Sequence, residues 1–460
     1  MAYRQPKTGE ALGGTATVEP EAATGIKNPP DTHIWGVYGF LIVLSVIELY
    51  SASSFEISKQ GLYSPLVRHV SMLFVGFLII LGLQRVHYKY FIQAGWVIFI
   101  GSALAMLYVM AFGEVVNGAK RAISLPFMTL QPAEFLKLSA VLMLSYILGT
   151  TQLKKDETKR NKGLIKATIL TLILCGLLFT QGLTNTAILC CICVSMLVVG
   201  ALEARKFWMI MGVFCLFGAA AMGVKMAMSS GDEKAPETVL VDPRGQVFNI
   251  PDGARVGGGE AGSRLKDDTW ENRFTAFTDT TPRYMRPITP KNLQEMRSYM
   301  AQANGGWVGV FPGNSRETSR LPLAFSDFIF AIIVEDLGFI GAMFIMLLYI
   351  WLLARAYIIA YRCNQMYPAF LVTGCALLIT LQALCHMAIV SGAGPVSGQP
   401  LPLFSKGGTS ILVTSIAFGI MLSVSRFTLR DANASRAEKA AEKAALPDEI
   451  RIDNPSQIHG

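Results

Sequence analysis

Charge is what this chain has least of: 16% of its 460 residues are Asp, Glu, Lys or Arg, against 52% hydrophobic. A soluble protein of this length would carry about a quarter charged residues, so a water-soluble globular enzyme is excluded. The first 30 residues hold no apolar core, which excludes a secretory signal there. Rich in Gly, Thr, Glu and Pro, they read as a disordered tail. The long polar stretch 227–326 contains no cysteine, and all eight cysteines (175, 190, 191, 193, 215, 363, 375 and 385) lie in or beside apolar segments. Neither a disulfide framework nor a cysteine metal site is expected. Cys190, Cys191 and Cys193 read as small packing residues on an apolar helix. The net charge of +8 matters here by its placement, and no nucleic-acid partner is expected.

What the chain does have is apolar runs of the ~20 residues that cross a bilayer. They lie near 34–53, 66–84, 91–112, 134–150, 164–181, 184–201, 206–226, 327–354, 367–391 and 407–426. The fold class expected is all-α: a polytopic integral membrane protein with ten transmembrane helices and one large extracytoplasmic loop. Orientation follows from basic residues in the short connections. Arg85 and Lys89, then Lys154, Lys155, Lys159, Arg160 and Lys162, then Arg205 and Lys206, then Arg355 and Arg362 fall in the even-numbered ones. These are expected to be cytoplasmic, with both termini inside, and Arg426 and Arg430 agree.

The resulting organisation is a cytoplasmic tail over 1–33, spans one to seven over 34–226, an outer loop over 227–326, spans eight to ten over 327–430, and a cytoplasmic tail over 431–460. The first part of the outer loop is polar and Gly-rich and reads as flexible. Its later part, with aromatics, prolines and glycines, suits short helices and turns against the membrane. After Arg430, Ala, Glu and Lys favour a short solvated helix.

Three polar clusters interrupt this pattern on the outer side. The first is "SDFIFAIIVEDLGFIG", with Asp327, Glu335 and Asp336. Asp327 opens span eight and admits two readings: a residue favoured by a helix N-terminus with Ser326 as N-cap, or a catalytic carboxylate. Glu335 and Asp336 lie ~12 Å further along a helix and read as deep, where ionisable groups usually face wet cavities. The second cluster is "NGAKRAISLPFMTLQPAEFLKLSAVL". Glu134 and Lys137, three apart, share a helix face and can pair, with Lys120 and Arg121 just before. These are either a salt bridge plus snorkelling cations or an outward basic pocket for phosphate. The third, "GPVSGQPLPLFSKGGTSILV", forces irregular backbone that a membrane tolerates only where buried or cavity-lining. Its Lys406, with Gly407 and Gly408, can present a cation and backbone N–H groups to an anion. Together the clusters point to one outward cavity for an anionic, membrane-associated substrate.

Four landmarks in order, "YSASS", "GAKRAI" with "LQPAEFLKL", "SDFIFAIIVEDLGFIGA" and "PVSGQPLPLFSKGGTS", resemble the shape, elongation, division and sporulation family, the FtsW/RodA peptidoglycan polymerases. The resemblance runs from about residue 34 to 430 and leans toward the division branch. It implies that Asp327 is the essential carboxylate and that Arg121, Glu134, Lys137 and Glu335 belong to the functional cavity. The chain departs from the family pattern at Leu323 and Phe325, where Glu and His are common, at Ala122, usually Trp, and at His386, where Asn is frequent.

The resemblance implies lipid II as substrate and septal cell-wall synthesis at the cytoplasmic (inner) membrane. It implies a class B penicillin-binding protein and other division membrane proteins as partners. Transfer from an α-linked donor to a β-1,4 product inverts the anomeric carbon, so one base suffices: Asp327. Lys120, Arg121, Lys137 and Lys406 are the candidates for the leaving pyrophosphate. No cofactor is certain; a divalent metal such as Mg2+ would be held largely through that pyrophosphate. Two other classes stay open, a lipid II transporter and a non-catalytic division scaffold.

Overall fold

The computed structural model describes residues 29–52, 64–112, 114–116, 119–124, 129–152, 156–179, 182–201, 212, 237–241, 247–251, 277, 292–318, 327–363, 365–395, 397–405 and 407–445. Its helices are α1 (Thr32–Ala52), α2 (Ser64–Leu83), α3 (Phe91–Phe112), α4 (Pro132–Gln152), α5 (Glu157–Phe179), α6 (Leu183–Ala201), α7 (Leu293–Gly305), α8 (Ile329–Tyr361), α9 (Met366–Val390) and α10 (Gly408–Ala445). Among the described residues nine helices, all but α7, are long and apolar enough to cross a membrane. The chain is a multi-pass membrane protein. The seventh apolar run, 206–226, lies almost wholly outside the described residues, as do residues 1–28 and 446–460.

The spans are apolar on all sides, as helices facing lipid or other helices must be. With no water to expel, close backbone approach drives their packing, and glycines permit it. A Cβ on Gly374 of α9 would lie 2.7 Å from Val141 Cγ1 of α4, and one on Gly149 would lie 2.7 Å from the Cα of Tyr367. Helices α4, α9 and α10 form the buried centre, whereas α2 and α3 turn most of their surface outward.

Two β elements differ from the sequence reading. Residues between α3 and α4 form a small antiparallel sheet of β1 (Glu114–Val116), β2 (Ala119–Ser124) and β3 (Thr129–Leu130), in the order β1-β2-β3. In the stretch read as flexible, β4 (Glu237–Val241) pairs antiparallel with β5 (Val247–Pro251). Both arms are rich in Val and other strand formers. The described α10 also runs unbroken from the last span to Ala445, so the span and the Ala/Glu/Lys stretch are one helix.

Helix α8 has 33 residues, about 50 Å, where ~20 residues suffice to cross. It is broken at Gly338 (φ 69°, ψ −175°). A Cβ there would meet Gly309 N and Trp307 O at 2.5 Å, so only glycine fits. The break frees backbone groups of α8, and the segment after α7 takes them up. Val310 N donates to Glu335 O (3.0 Å), Phe311 N to Asp336 O (2.9 Å), Phe339 N to Gly306 O (2.9 Å) and Ile340 N to Trp307 O (3.2 Å). Irregular backbone is thereby satisfied inside the protein.

At the other end of α8, Arg355 makes a 2.6 Å ion pair with Asp31, which also accepts from His33 N and Ile34 N at the start of α1. Asp31 N in turn donates to Ser425 Oγ of α10. Burial alone would raise the Asp31 pKa, but the Arg355 guanidinium and the two N–H groups outweigh it and hold the carboxyl below its ordinary value. A depressed carboxyl stabilises the fold above its unfolded pKa, and the contribution disappears as pH falls through the folded value. Asp31→Asn keeps a capping side chain but loses the pair. It is expected to lower detergent stability by about 3 kcal/mol at neutral pH, the difference from wild type shrinking below about pH 4. Thermal unfolding at both pH values checks this, and equal melting at neutral pH would show the staple to be idle.

Asp336 lies 19 residues from Arg355, about 28 Å along a helix.

Candidate functional site

The site is built at the end of the bundle that carries β1–β3 and α7. Lys120 and Arg121 fall on β2, whose Ile123 and Ser124 pair with Leu130 and Thr129 of β3; their side chains lie outside what the structure describes. Strand β3 leads directly into α4. There Lys137 Nζ is 2.7 Å from Glu134 Oε1, and both side chains are buried, Lys137 completely. Lys137 also donates to Gln382 Oε1 of α9 at 3.1 Å. Gln382 Nε2 stands 3.5 Å from Glu134 Oε2 and 3.4 Å from Pro400 O.

Pro400 belongs to the third motif, whose residues 397–405 are buried inside the bundle except for the partly exposed Gly398 and Pro400. Four consecutive-to-neighbouring carbonyls there are each taken by a side chain. Gln399 O accepts from His386 Nδ1 (2.7 Å), Pro400 O from Gln382, Pro402 O from the Tyr349 hydroxyl (2.6 Å), and Leu403 O from Ser45 Oγ (2.6 Å). Leu403 adopts φ 68°, a left-handed conformation unusual for a branched residue, held by these bonds and complete burial. The segment turns into α10, where Gln131 N donates to Thr409 Oγ1 (3.1 Å) and Thr409 donates to Thr129 O (2.6 Å). The second and third motifs thus form one knot. Lys406 lies outside the described residues, between Ser405 and Gly407, which are described.

Asp327 is half-buried in the turn before α8. The N-cap position is Phe328, with no side-chain cap bond, rather than Ser326. The half-helix 329–337 that follows is buried almost throughout. It packs on α7, and Ser298 and Gln302 of α7 reach Val390 O at the end of α9, at 3.4 and 2.9 Å. Glu335 is fully buried and its carboxylate faces its own chain. It accepts from Asn304 Nδ2 (3.3 Å), Ser315 Oγ and Arg316 N (3.0 Å), with Glu317 N 3.4 Å from both oxygens. Asp336 lies within electrostatic reach of Glu48 of α1 and beside Ser51, and both carboxylates are fully buried.

Sequence reasoning missed Gln382, Thr409 and Glu48. Gln382 stands four residues before His386 on α9, and two polar residues on one face of an apolar helix are a signal for it. Glu48, a carboxylate within the apolar run of span one, carried a similar signal. Thr409 carried none.

Comparison with known proteins gives the context. Residues 31–244 and 263–430 match the family described as cell cycle protein, covering FtsW, RodA and SpoVE. The chain is 28% identical over 394 residues to the probable peptidoglycan glycosyltransferase FtsW of Coxiella burnetii, covering 84% of this chain and 93% of that one. It is 26% identical to stage V sporulation protein E of Bacillus subtilis, covering 87% and 98%. In fold it is similar to a chain of a peptidoglycan synthase complex studied for its coordination of polymerization and crosslinking (TM-score 0.59, 20% identity, 87% and 98% covered). It is also similar to the rod shape determining protein RodA of Thermus thermophilus (TM-score 0.56, 20% identity, 86% and 97% covered). With most of its length matched and both polar motifs joined in one buried knot, the chain belongs to the FtsW, RodA and SpoVE family.

Proposed function

We propose that this protein is a peptidoglycan glycosyltransferase that polymerises lipid II during cell division. The observation that carries the reading is the knot of Glu134, Lys137, Gln382 and the buried 397–405 segment. A membrane protein has little reason to bury so many polar groups except around a polar substrate. The names of its relatives supply the reaction class.

In the proposed reaction the 4-hydroxyl oxygen of the acceptor GlcNAc attacks C1 of the donor MurNAc. The C1–O bond to undecaprenyl pyrophosphate breaks with inversion, and the pyrophosphate leaves with the electron pair. Asp327 takes the hydroxyl proton, since a sugar hydroxyl is a poor nucleophile without a base. Lys120, Arg121, Lys137 and Lys406 offset the charge developing on the pyrophosphate. Among the described residues no three His, Cys, Asp or Glu side chains converge to hold a metal. A divalent ion such as Mg2+, held largely through the pyrophosphate, would add positive charge there.

We place the chain in the cytoplasmic membrane with the Asp31–Arg355 end inside and Asp327 outside, where lipid II is polymerised. A phosphatase reporter fused near Gly258 should then be active and one near Lys159 silent; the reverse would put Asp327 on the wrong side. The partner proposed is a class B penicillin-binding protein, which cross-links the strands. Purified lipid II should be polymerised far faster by the complex than by this protein alone. Equal rates would remove the partner dependence, and no polymer from either would remove the function.

A further inference from the structure

The half-helix that follows Asp327 is cut off at Gly338 from the membrane-crossing part of α8. No continuous ladder of helical bonds carries its direction across that break. What sets it is the segment 304–318, and the fastening is concentrated on one residue. The main-chain carbonyl of Glu335 accepts from Val310 N. Its carboxylate gathers the Asn304 amide, the Ser315 hydroxyl and the Arg316 and Glu317 N–H groups. Two further ties fix the segment from outside. Gly313 N donates to Ser51 Oγ of α1 (2.9 Å), and Arg297 Nη1 of α7 pairs with Glu317 Oε2 (3.1 Å). Gly305 and Gly309 let its backbone lie against α8, since a Cβ would fall 1.9 Å from Val334 O and 2.2 Å from Asp336 O respectively.

A carboxylate offers about four lone-pair sites. Those of Glu335 are occupied by donors of its own chain, which leaves little with which to bind a substrate. We propose that Glu335 is a positioning residue: its carboxylate clasps segment 304–318 onto the half-helix and so holds Asp327 at the angle the reaction requires. This rests on the reading of Asp327 as the base. Loss of the clasp frees the half-helix to pivot at Gly338, and about 1 Å of misplacement can cost ~100-fold in rate.

The test is a kinetic cycle on the full-length protein with its transpeptidase partner, using purified lipid II and rates per folded molecule. Glu335→Ala is expected to lower kcat about 100-fold, with KM for lipid II nearly unchanged. Ser315→Ala, which removes one donor, should lower kcat roughly tenfold at unchanged KM, since the hydrogen bonds of a charged group are strong. The double variant should be no slower than Glu335→Ala, because both lose the same clasp. A raised KM in Glu335→Ala with additive losses would make Glu335 a substrate contact and overturn the proposal. Lowered melting temperature with an unchanged kcat would overturn it too, leaving a structural role alone. If Glu335→Ala does not fold, Ser315→Ala and Asn304→Ala decide in the same way: non-additive loss of kcat supports the clasp, and additive or absent loss overturns it. Asp327→Asn is run alongside. A wild-type rate there removes the base reading, yet the Ser315–Glu335 coupling would stand, so the two failures are separable.

Discussion

Asp327→Asn is expected to give a folded, membrane-inserted protein that makes almost no glycan polymer from lipid II. The amide matches the carboxylate in size and caps a helix about as well, but it cannot take a proton. General-base catalysis contributes about 10²–10⁴-fold, so the residual rate should fall by that much. The conservative amide separates this from a helix-start effect, because Asn serves a helix start about as well as Asp and would leave the rate unchanged if that were the role. The measurement is polymer length and yield from purified lipid II, normalised to folded protein and to bound partner. Wild-type polymerisation by a well-folded Asp327→Asn protein would end the catalytic-base proposal. A lipid II transporter predicts movement of lipid II in vesicles and no polymer even from the wild type.

Lys137→Met should fail earlier, at the level of the fold. Removing the ammonium leaves the Glu134 carboxylate buried with the Gln382 amide 3.5 Å away. Breaking a buried pair from one side costs about 3–5 kcal/mol, a large share of a typical ~5–15 kcal/mol stability. Replacing both members, as Glu134→Gln with Lys137→Met, removes the uncompensated charge and should restore most of the loss. If the cation also serves the pyrophosphate, the restored protein still will not turn over. Folded yield and thermal unfolding report the first effect, and lipid II polymerisation reports the second. A double variant with the wild-type rate would reduce the pair to packing. Arg121→Ala, on the neighbouring strand, should weaken use of lipid II without a stability loss of this size.

Much of this architecture is legible from local pattern. Apolar runs mark the spans because a bilayer demands length and little else. The i, i+3 spacing brings Glu134 and Lys137 together because one helix face suffices. The prolines and glycines of 394–408 announce irregular backbone. What stays hidden depends on partners distant along the chain. Gly338 looks like any glycine in an apolar helix until Trp307 and Gly309 are seen against it. Glu335 looks like a cavity residue until four donors 18 to 31 residues earlier are found on it. Strand β2 looks like a loop, since its pairing partners make short, mixed stretches without alternation.

The buried 397–405 segment has a consequence for how the protein is made. Its Leu403 carbonyl is bonded by Ser45, a residue 358 positions earlier in the chain. Synthesis delivers the N-terminal part first, so α1 waits in the bilayer until almost the whole chain has been threaded in. Ser45, Tyr349, Gln382 and His386 receive these acceptors together, when the last hairpin docks. The contacts of 397–405 therefore close only after the last hairpin is made, whatever the order in which the earlier helices pack.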